Sequence, residues 1–186
     1  MFITNHFKSG LTGFGLLLLA FSASAYPLLD FNGSMSYAAE SGLFDVTSTL
    51  IHTQDISPAP LLTGSSLKFS GLLDTSSVSS NSVGTIAGFT GATSGSGPLL
   101  SVVDGDGSTT LLQGELTGLV MGGVNGSNAG ALVAQFNPTS GTLLNEFAVG
   151  AKLFSLQLNL TTKFGPTMFD SGFSGKVDGK LYAPAV

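Results

Sequence analysis

The chain has no cysteine and no tryptophan, and its six cationic side chains are all lysines, so arginine is absent as well. Without cysteine it cannot form a disulfide, a thiolate nucleophile or a thiolate metal site. Without arginine it has no bidentate clamp for phosphate or carboxylate groups. Only 9% of the 186 residues are charged, and a formal net charge of -5 argues against nucleic acid, which requires a basic surface. Most residue types that usually carry chemistry are therefore missing.

The first 25 residues have the three parts of a secretory signal peptide. Lys8 supplies a positive charge, residues 11–21 form an apolar core, and Ala23-Ser24-Ala25 offers the small side chains that a signal peptidase reads. This core is much shorter than the ~20 apolar residues that a membrane-spanning helix needs. We therefore predict cleavage after Ala25, a secreted, extracellular or periplasmic protein, and no transmembrane helix in the mature chain 26–186.

Alternation of apolar and small polar residues predicts short β-strands throughout the mature chain. The segments with this pattern are 31–37, 43–50, 111–121, 152–160 and 173–182. In the fourth segment, Phe154 and three leucines share one face and Ser155, Gln157 and Asn159 the other, as in a strand with one buried and one solvated face. Glycine is abundant, with 26 residues, and no long helical periodicity is present. The sequence predicts a single antiparallel all-β domain, a β-sandwich or a barrel-like fold.

Two segments allow more than one interpretation. Residues 131–136 and 142–149 are predicted to be the strands of a hairpin, although 143–151 could instead form a short helix. Residues 76–97 are uncharged and consist mainly of Ser, Gly and Thr, which is typical either of a flexible linker or of weak edge strands with long loops. We do not divide the domain at this segment.

The most suggestive local motif surrounds Asp104. Oxygen-bearing side chains recur at Asp104, Asp106 and Ser108, and Glu115 stands at the twelfth position of the segment, an arrangement that suits calcium. However, Thr109 occupies the sixth position, where a calcium loop of the EF-hand type requires glycine, and both flanks have the pattern of strands. We therefore predict a hairpin connection built on Asp-Gly turns, and we assign no metal site and no cofactor.

His52 is the only histidine of the mature chain, and a Ser-His-Asp triad would need it as the general base. The chain has no G-x-S-x-G nucleophile motif, and its acidic residues are scattered near strand ends. We expect His52 to lie on the surface, and we assign no catalytic and no cofactor-binding residue. A pair of carboxylates that hydrolyses a glycosidic bond stays open as an alternative.

Three segments resemble a known class of exported proteins. They are S-Y-x-x-x-S-G-L-F-D-V at 36–46, L-L-Q-G-E-L-T-G-L at 111–119 and D-S-G-F-S-G-K-V-D-G-K at 170–180. Together with the export signal, they resemble the PEP-CTERM (exosortase-sorted) proteins of Gram-negative bacteria. The resemblance implies an extracellular location and no particular reaction. Members of that class end in a Pro-Glu-Pro sorting signal, and because the sequence stops at 183–186 without one, we expect a released protein.

The sequence therefore predicts a non-enzymatic secreted or cell-surface structural protein, of a matrix or biofilm, associated with extracellular polymer. The alternative is a secreted module that binds carbohydrate or another envelope polymer, and a further alternative is a carboxylate-dependent hydrolase. The expected partners are extracellular polysaccharide or envelope components, and not nucleic acid.

Overall fold

A computed structural model of the protein describes residues 27–56, 62, 64–92, 96–148 and 154–182. The predicted signal peptide, 1–25, lies outside the described residues. Within them, no helix is long and apolar enough to cross a bilayer. Nine strands and one short α-helix are found there, in the order β1 (Leu28–Ala38), β2 (Leu43–Gln54), β3 (Ser66–Ser80), β4 (Gly84–Thr90), β5 (Leu99–Val103), β6 (Thr110–Val124), β7 (Ala129–Ser140), α1 (Leu144–Ala148), β8 (Phe154–Thr161) and β9 (Phe173–Tyr182).

The strands form one closed antiparallel barrel. The order around the wall is β2-β1-β9-β8-β7-β6-β4-β3, and β3 pairs with β2 to complete the ring. β4 and β5 both lie between β3 and β6, and they occupy one position of the wall end to end. The predicted all-β single domain is confirmed, and of its two variants the structure adopts the barrel.

The barrel interior is filled with apolar side chains, because alternate residues of every strand point inward. In β8, Phe154, Leu156, Leu158 and Leu160 are at most 2% exposed, whereas Gln157 and Asn159 face solvent, as the alternation predicts. Full burial of one such side chain contributes about 1.5–3 kcal/mol. The largest fully buried side chains elsewhere in the barrel include Phe31, Phe44, Phe136, Phe147 and Phe164.

A cluster of aromatic rings fills the end of the barrel next to the turn at 39–42. Tyr37 stacks on Phe173 at a centroid distance of 5.0 Å and meets Phe169 edge-on at 5.4 Å. Phe169 also meets Phe89 at 6.2 Å, which ties the loop between β8 and β9 to the opposite wall. Each pair contributes about 0.5–1.5 kcal/mol beyond its buried area. Burial raises the pKa of Tyr37, and the nearby charge of Asp170 raises it further.

The predicted hairpin over 131–149 is wrong in its second strand. β7 continues through Pro138 to Ser140, and α1 takes the place of the returning strand. Pro138 is tolerated because it lies opposite Gly114 at a register shift, where the missing N–H removes no regular ladder bond. Leu143 and Phe147 are one helical turn apart and both are buried, so α1 covers this end of the barrel.

The Ser-, Gly- and Thr-rich segment 76–97 is neither a linker nor a sheet edge. Its first residues complete β3, and Gly84–Thr90 forms β4, which pairs on both sides within the closed wall. Residues 93–95 lie outside the described residues. β9 runs without interruption through Asp178 and Gly179.

Candidate functional site

The segment around Asp104 is the hairpin connection between β5 and β6. Oδ1 of Asp104 accepts hydrogen bonds from the N–H groups of Ser108 at 2.9 Å and Thr109 at 3.1 Å. Oδ1 of Asp106 also accepts from the N–H of Ser108, at 2.9 Å. Hydrogen bonds within the turn, above all the one from the backbone N–H of Thr109, lower the pKa of Asp104 from 3.8 to about 2. These two carboxylates therefore stabilise the turn itself.

Glu115 does not reach this turn. It lies on β6 opposite Leu99 of β5, and its Oε1 accepts a hydrogen bond from the backbone N–H of Gly97. The structure thus brings Asp104, Asp106 and Ser108 together and places Glu115 elsewhere. Among the residues that the structure describes, no three Asp, Glu or His side chains are grouped closely enough to hold a metal ion.

His52 lies on the outer surface, as predicted. Its Nδ1 is 3.2 Å from Oδ2 of Asp30 on the neighbouring strand β1, and the two side chains are 59% and 32% exposed. Asp30 therefore orients an imidazole ring that stays open to solvent.

A β-bulge in β2 lies beside this pair. Asp30 is opposite His52 and Phe31 is opposite Leu50, so Ile51 is an extra residue with no partner of its own in the ladder. As a result Ile51 and His52 are consecutive and both exposed, and Ile51 is 59% exposed. Bulges redirect side chains in this way and are common next to binding sites.

A shallow depression of about 320 Å³ adjoins the bulge on the outer face of β1, β9 and β8. Lys180 stands opposite Asp30 on one side and Gln157 on the other, and Asp178 stands opposite Asn159. Nδ2 of Asn159 donates to Oδ2 of Asp178 at 2.9 Å. The outward side chains that line this depression are Asp30, Ile51, Gln157, Asn159, Asp178 and Lys180.

Lys180 is held against an aromatic ring. Its Nζ is 4.9 Å from the centroid of Tyr182, two residues along β9 on the same outward face. This cation–π contact restrains the ammonium group at the edge of the depression.

A second depression, of about 470 Å³, continues from the first across β8, β7 and β6. The two share Gln157, which stands opposite Val133 of β7. The outward side chains here are uncharged, namely those of Thr117, Val133, Gln135, Ser155 and Gln157, with Gly118 at the far end. We call the two adjoining depressions together the transverse groove, because they follow one another across the strands.

A second bulge marks the far end of the transverse groove. Thr117 pairs with Gln135 and Val120 pairs with Val133, so β6 has one residue more than β7 between these pairs. Gly118 lies in this bulge with φ +62°, a conformation that favours glycine. Both ends of the groove therefore have an irregularity that exposes consecutive residues.

Two carboxylates outside the groove accept hydrogen bonds from serines. Asp45 accepts a hydrogen bond from the hydroxyl of Ser70, and Asp74 accepts from the backbone N–H of Ser76 at 3.0 Å. Asp30 and Asp178 line one depression together.

Comparisons with protein-family models, with curated proteins and with solved structures find no match to this chain.

The transverse groove was not predicted as a site. The polar face of 152–160 was predicted to point outward, but the alternation does not say which strands are its neighbours. The bulge in β2 did leave a signal, since Leu50 and Ile51 are consecutive apolar residues that break the alternation. In β6 the break is of the opposite kind, since Thr117 and Gly118 are two consecutive exposed residues between buried leucines.

Proposed function

We propose that this is a non-enzymatic exported protein of an extracellular matrix or cell surface that associates with extracellular polymer. The observation that carries the proposal is the outer wall formed by β2, β1, β9 and β8. Its outward side chains are mostly hydroxyls and amides, as in the row of Asn32, Asp178 and Asn159, which face one another in register. Three carboxylates and two ammonium groups stand among them and nearly balance, namely those of Asp30, Asp45, Asp178, Lys176 and Lys180. Such a surface offers many hydrogen bonds and little net charge. The export pattern and the PEP-CTERM resemblance support the location.

The two carboxylates of the groove support binding better than hydrolysis. A glycosidase needs one carboxyl group that is desolvated enough to stay protonated and a second that is ionised. Asp178 is exposed and accepts a hydrogen bond from Asn159, while Asp30 is paired with His52. Each of the two carboxylates is thus already paired with a side chain of the wall. The alternative function, a polymer-binding module, is favoured by the groove itself.

Cell fractionation tests the proposal. The full chain with a C-terminal tag should be recovered from the matrix or cell surface with Tyr26 as its first residue, because the signal is removed on export. Enzymatic depolymerisation of the extracellular polysaccharide should release it. A matched chain that begins at Tyr26 with a new initiator methionine should stay in the cytoplasm. Recovery of the intact full-length chain from the cytoplasm would contradict export, and recovery only from the medium would contradict polymer association.

A further inference from the structure

We propose that the transverse groove binds a single chain of an uncharged polysaccharide that lies across the strands. This inference rests on the proposed association with extracellular polymer and names the surface and the class of ligand.

The groove follows the curved wall of the barrel and is long enough for several units of a polymer chain. It extends from the Ile51 bulge on β2 to the Gly118 bulge on β6, across β1, β9, β8 and β7. Five steps between neighbouring strands give a length of about 24 Å along the wall, at roughly 4.8 Å per step. The two depressions share Gln157 as a lining residue, so they adjoin at this side chain. A groove of this length has room for several consecutive sugar units.

The side chains of the groove suit sugar hydroxyls. Gln135 and Gln157 each present an amide with donors and an acceptor, which matches hydroxyl groups that donate and accept. Asn159 already donates one N–H to Asp178 and presents its other N–H and its amide oxygen. Two apolar side chains stand among them, Val133 at 45% and Ile51 at 59% exposure. They offer contact area for the C–H faces of pyranose rings. Ligand sites typically combine apolar contact area with a few placed polar groups in this way.

The charge of the groove selects against acidic polymers. The second depression has no charged side chain, and the first has Asp30 and Asp178 against Lys180. A polyuronate or a nucleic acid would meet two carboxylates with one ammonium group to balance them, in a chain whose net charge is -5. An uncharged chain meets no such repulsion.

The test uses polysaccharide from the matrix around the producing cells, stripped of protein and separated by anion exchange into uncharged and acidic fractions. Binding of the mature protein to each fraction is measured by affinity electrophoresis. Wild type should be retarded by the uncharged fraction. Gln157→Ala should bind about tenfold more weakly, because a lost pair of hydrogen bonds is worth roughly that factor. Gln135→Ala, in the other depression, should also weaken binding.

Thr161→Ala is the matched control. Thr161 is exposed on the same face of β8, four residues from Gln157 and outside both depressions, so this variant should bind as wild type does. Melting temperatures of all variants confirm that each is folded. Retardation by the acidic fraction alone, retardation by neither fraction, or unchanged binding of both glutamine variants would overturn the groove assignment.

The fractionation experiment decides the proposed function separately. If the protein is retained in the matrix but the variants at Gln157 and Gln135 bind as well as wild type, the proposed function stands and the groove is not the binding site. Release of shortened oligosaccharides from the uncharged fraction by wild type, abolished in Asp178→Asn, would overturn the binding role in favour of hydrolysis.

Discussion

Gly123→Ala is expected to destabilise the barrel, because the ring of Phe164 lies directly on this glycine. A methyl group at Gly123 would stand 2.5 Å from Cγ of Phe164, much closer than real side-chain contacts allow. Gly130 lies opposite Gly123 on β7 and is covered by the same ring. Phe164 is 1% exposed, so the two glycines form the surface against which this aromatic side chain is buried.

The ring cannot easily move away, because its backbone is fixed. The N–H of Phe164 donates to the carbonyl oxygen of Ser127 at 2.9 Å, and the N–H of Gly126 donates to the carbonyl oxygen of Phe164 at 2.9 Å. Overpacking in a well-filled core costs about 1–3 kcal/mol. We therefore expect Gly123→Ala to lower the free energy of unfolding by an amount in this range.

Gly122→Ala is the matched control on the same strand. A methyl group there points outward and meets its nearest atoms at 3.6 Å and beyond, which is ordinary contact. Without strain, replacing glycine by alanine stabilises by about 0.4–1 kcal/mol through the unfolded chain. The two variants should differ by about 1.5–4 kcal/mol, and their melting temperatures by at least about 3 °C.

Thermal melting and urea denaturation, followed by circular dichroism, measure both variants. Phe164→Leu tests the cause, because a smaller side chain should reduce the cost of Gly123→Ala in the double variant. Equal stability of Gly123→Ala and Gly122→Ala would refute the reasoning. If Gly123→Ala lowers the free energy of unfolding by the same amount in the Phe164→Leu background, the ring of Phe164 is not the source of the destabilisation.

Three further changes have expected outcomes. Thr85→Val should lower the free energy of unfolding, measured by urea denaturation, by about 1–3 kcal/mol. The buried hydroxyl shares its one hydrogen between Oδ1 of Asn125 and the carbonyl oxygen of Gly165 and accepts from the hydroxyl of Ser80, and all three groups would lose it. An unchanged midpoint would contradict that role. Leu156→Asp should abolish cooperative melting, because the side chain is 0% exposed in the barrel interior, and Thr161→Asp on the outer face of β8 should not. Above pH 4, Asp104→Ala should have a lower melting temperature than wild type. The difference between the two melting temperatures should shrink as the pH falls towards 2. The pKa of Asp104 is about 2 in the folded protein and 3.8 ordinarily, so its contribution is present above 3.8 and lost on acidification; a deficit independent of pH would contradict this.

The strands with one apolar and one polar face could be predicted from the sequence. In β8, the alternation of Phe154, Leu156, Leu158 and Leu160 with polar residues has a period of two, and the burial of each residue follows that period. In β1 and β2, β-branched and aromatic residues likewise indicated strands. Local patterns suffice here because the direction of a side chain in a strand is a local property.

The order of the strands could not be predicted in this way. β1 pairs with β9 at the other end of the chain, and β2 pairs with β3 to close the ring. Alternation constrains the face of each strand but leaves its neighbour open, and the transverse groove exists only because β1, β9 and β8 are adjacent.

The error at α1 has a different origin. In a short segment, Leu143 and Phe147 fit a helical turn as well as a strand, and tertiary contacts decide between them.

The geometry of the hairpin at Asp104 also predicts whether calcium stabilises this protein. Calcium takes about six to eight oxygen ligands in proteins. Here Oδ1 of Asp104 and Oδ1 of Asp106 accept hydrogen bonds from the backbone N–H of Ser108, each at 2.9 Å, and Glu115 is bonded to Gly97 instead. The turn therefore offers two carboxylates, both engaged with its own backbone, and lacks the third carboxylate that the sequence motif would supply.

Calcium is therefore not expected to contribute to folding. The melting temperature should be the same in EDTA and in millimolar calcium, for wild type and for Asp106→Ala. A structural site at a hundredfold excess of calcium over its dissociation constant would instead raise the melting temperature by about 5–10 °C for a chain of this size. A rise of that order in wild type that Asp106→Ala abolishes would mean that the hairpin binds the ion and that this prediction is wrong.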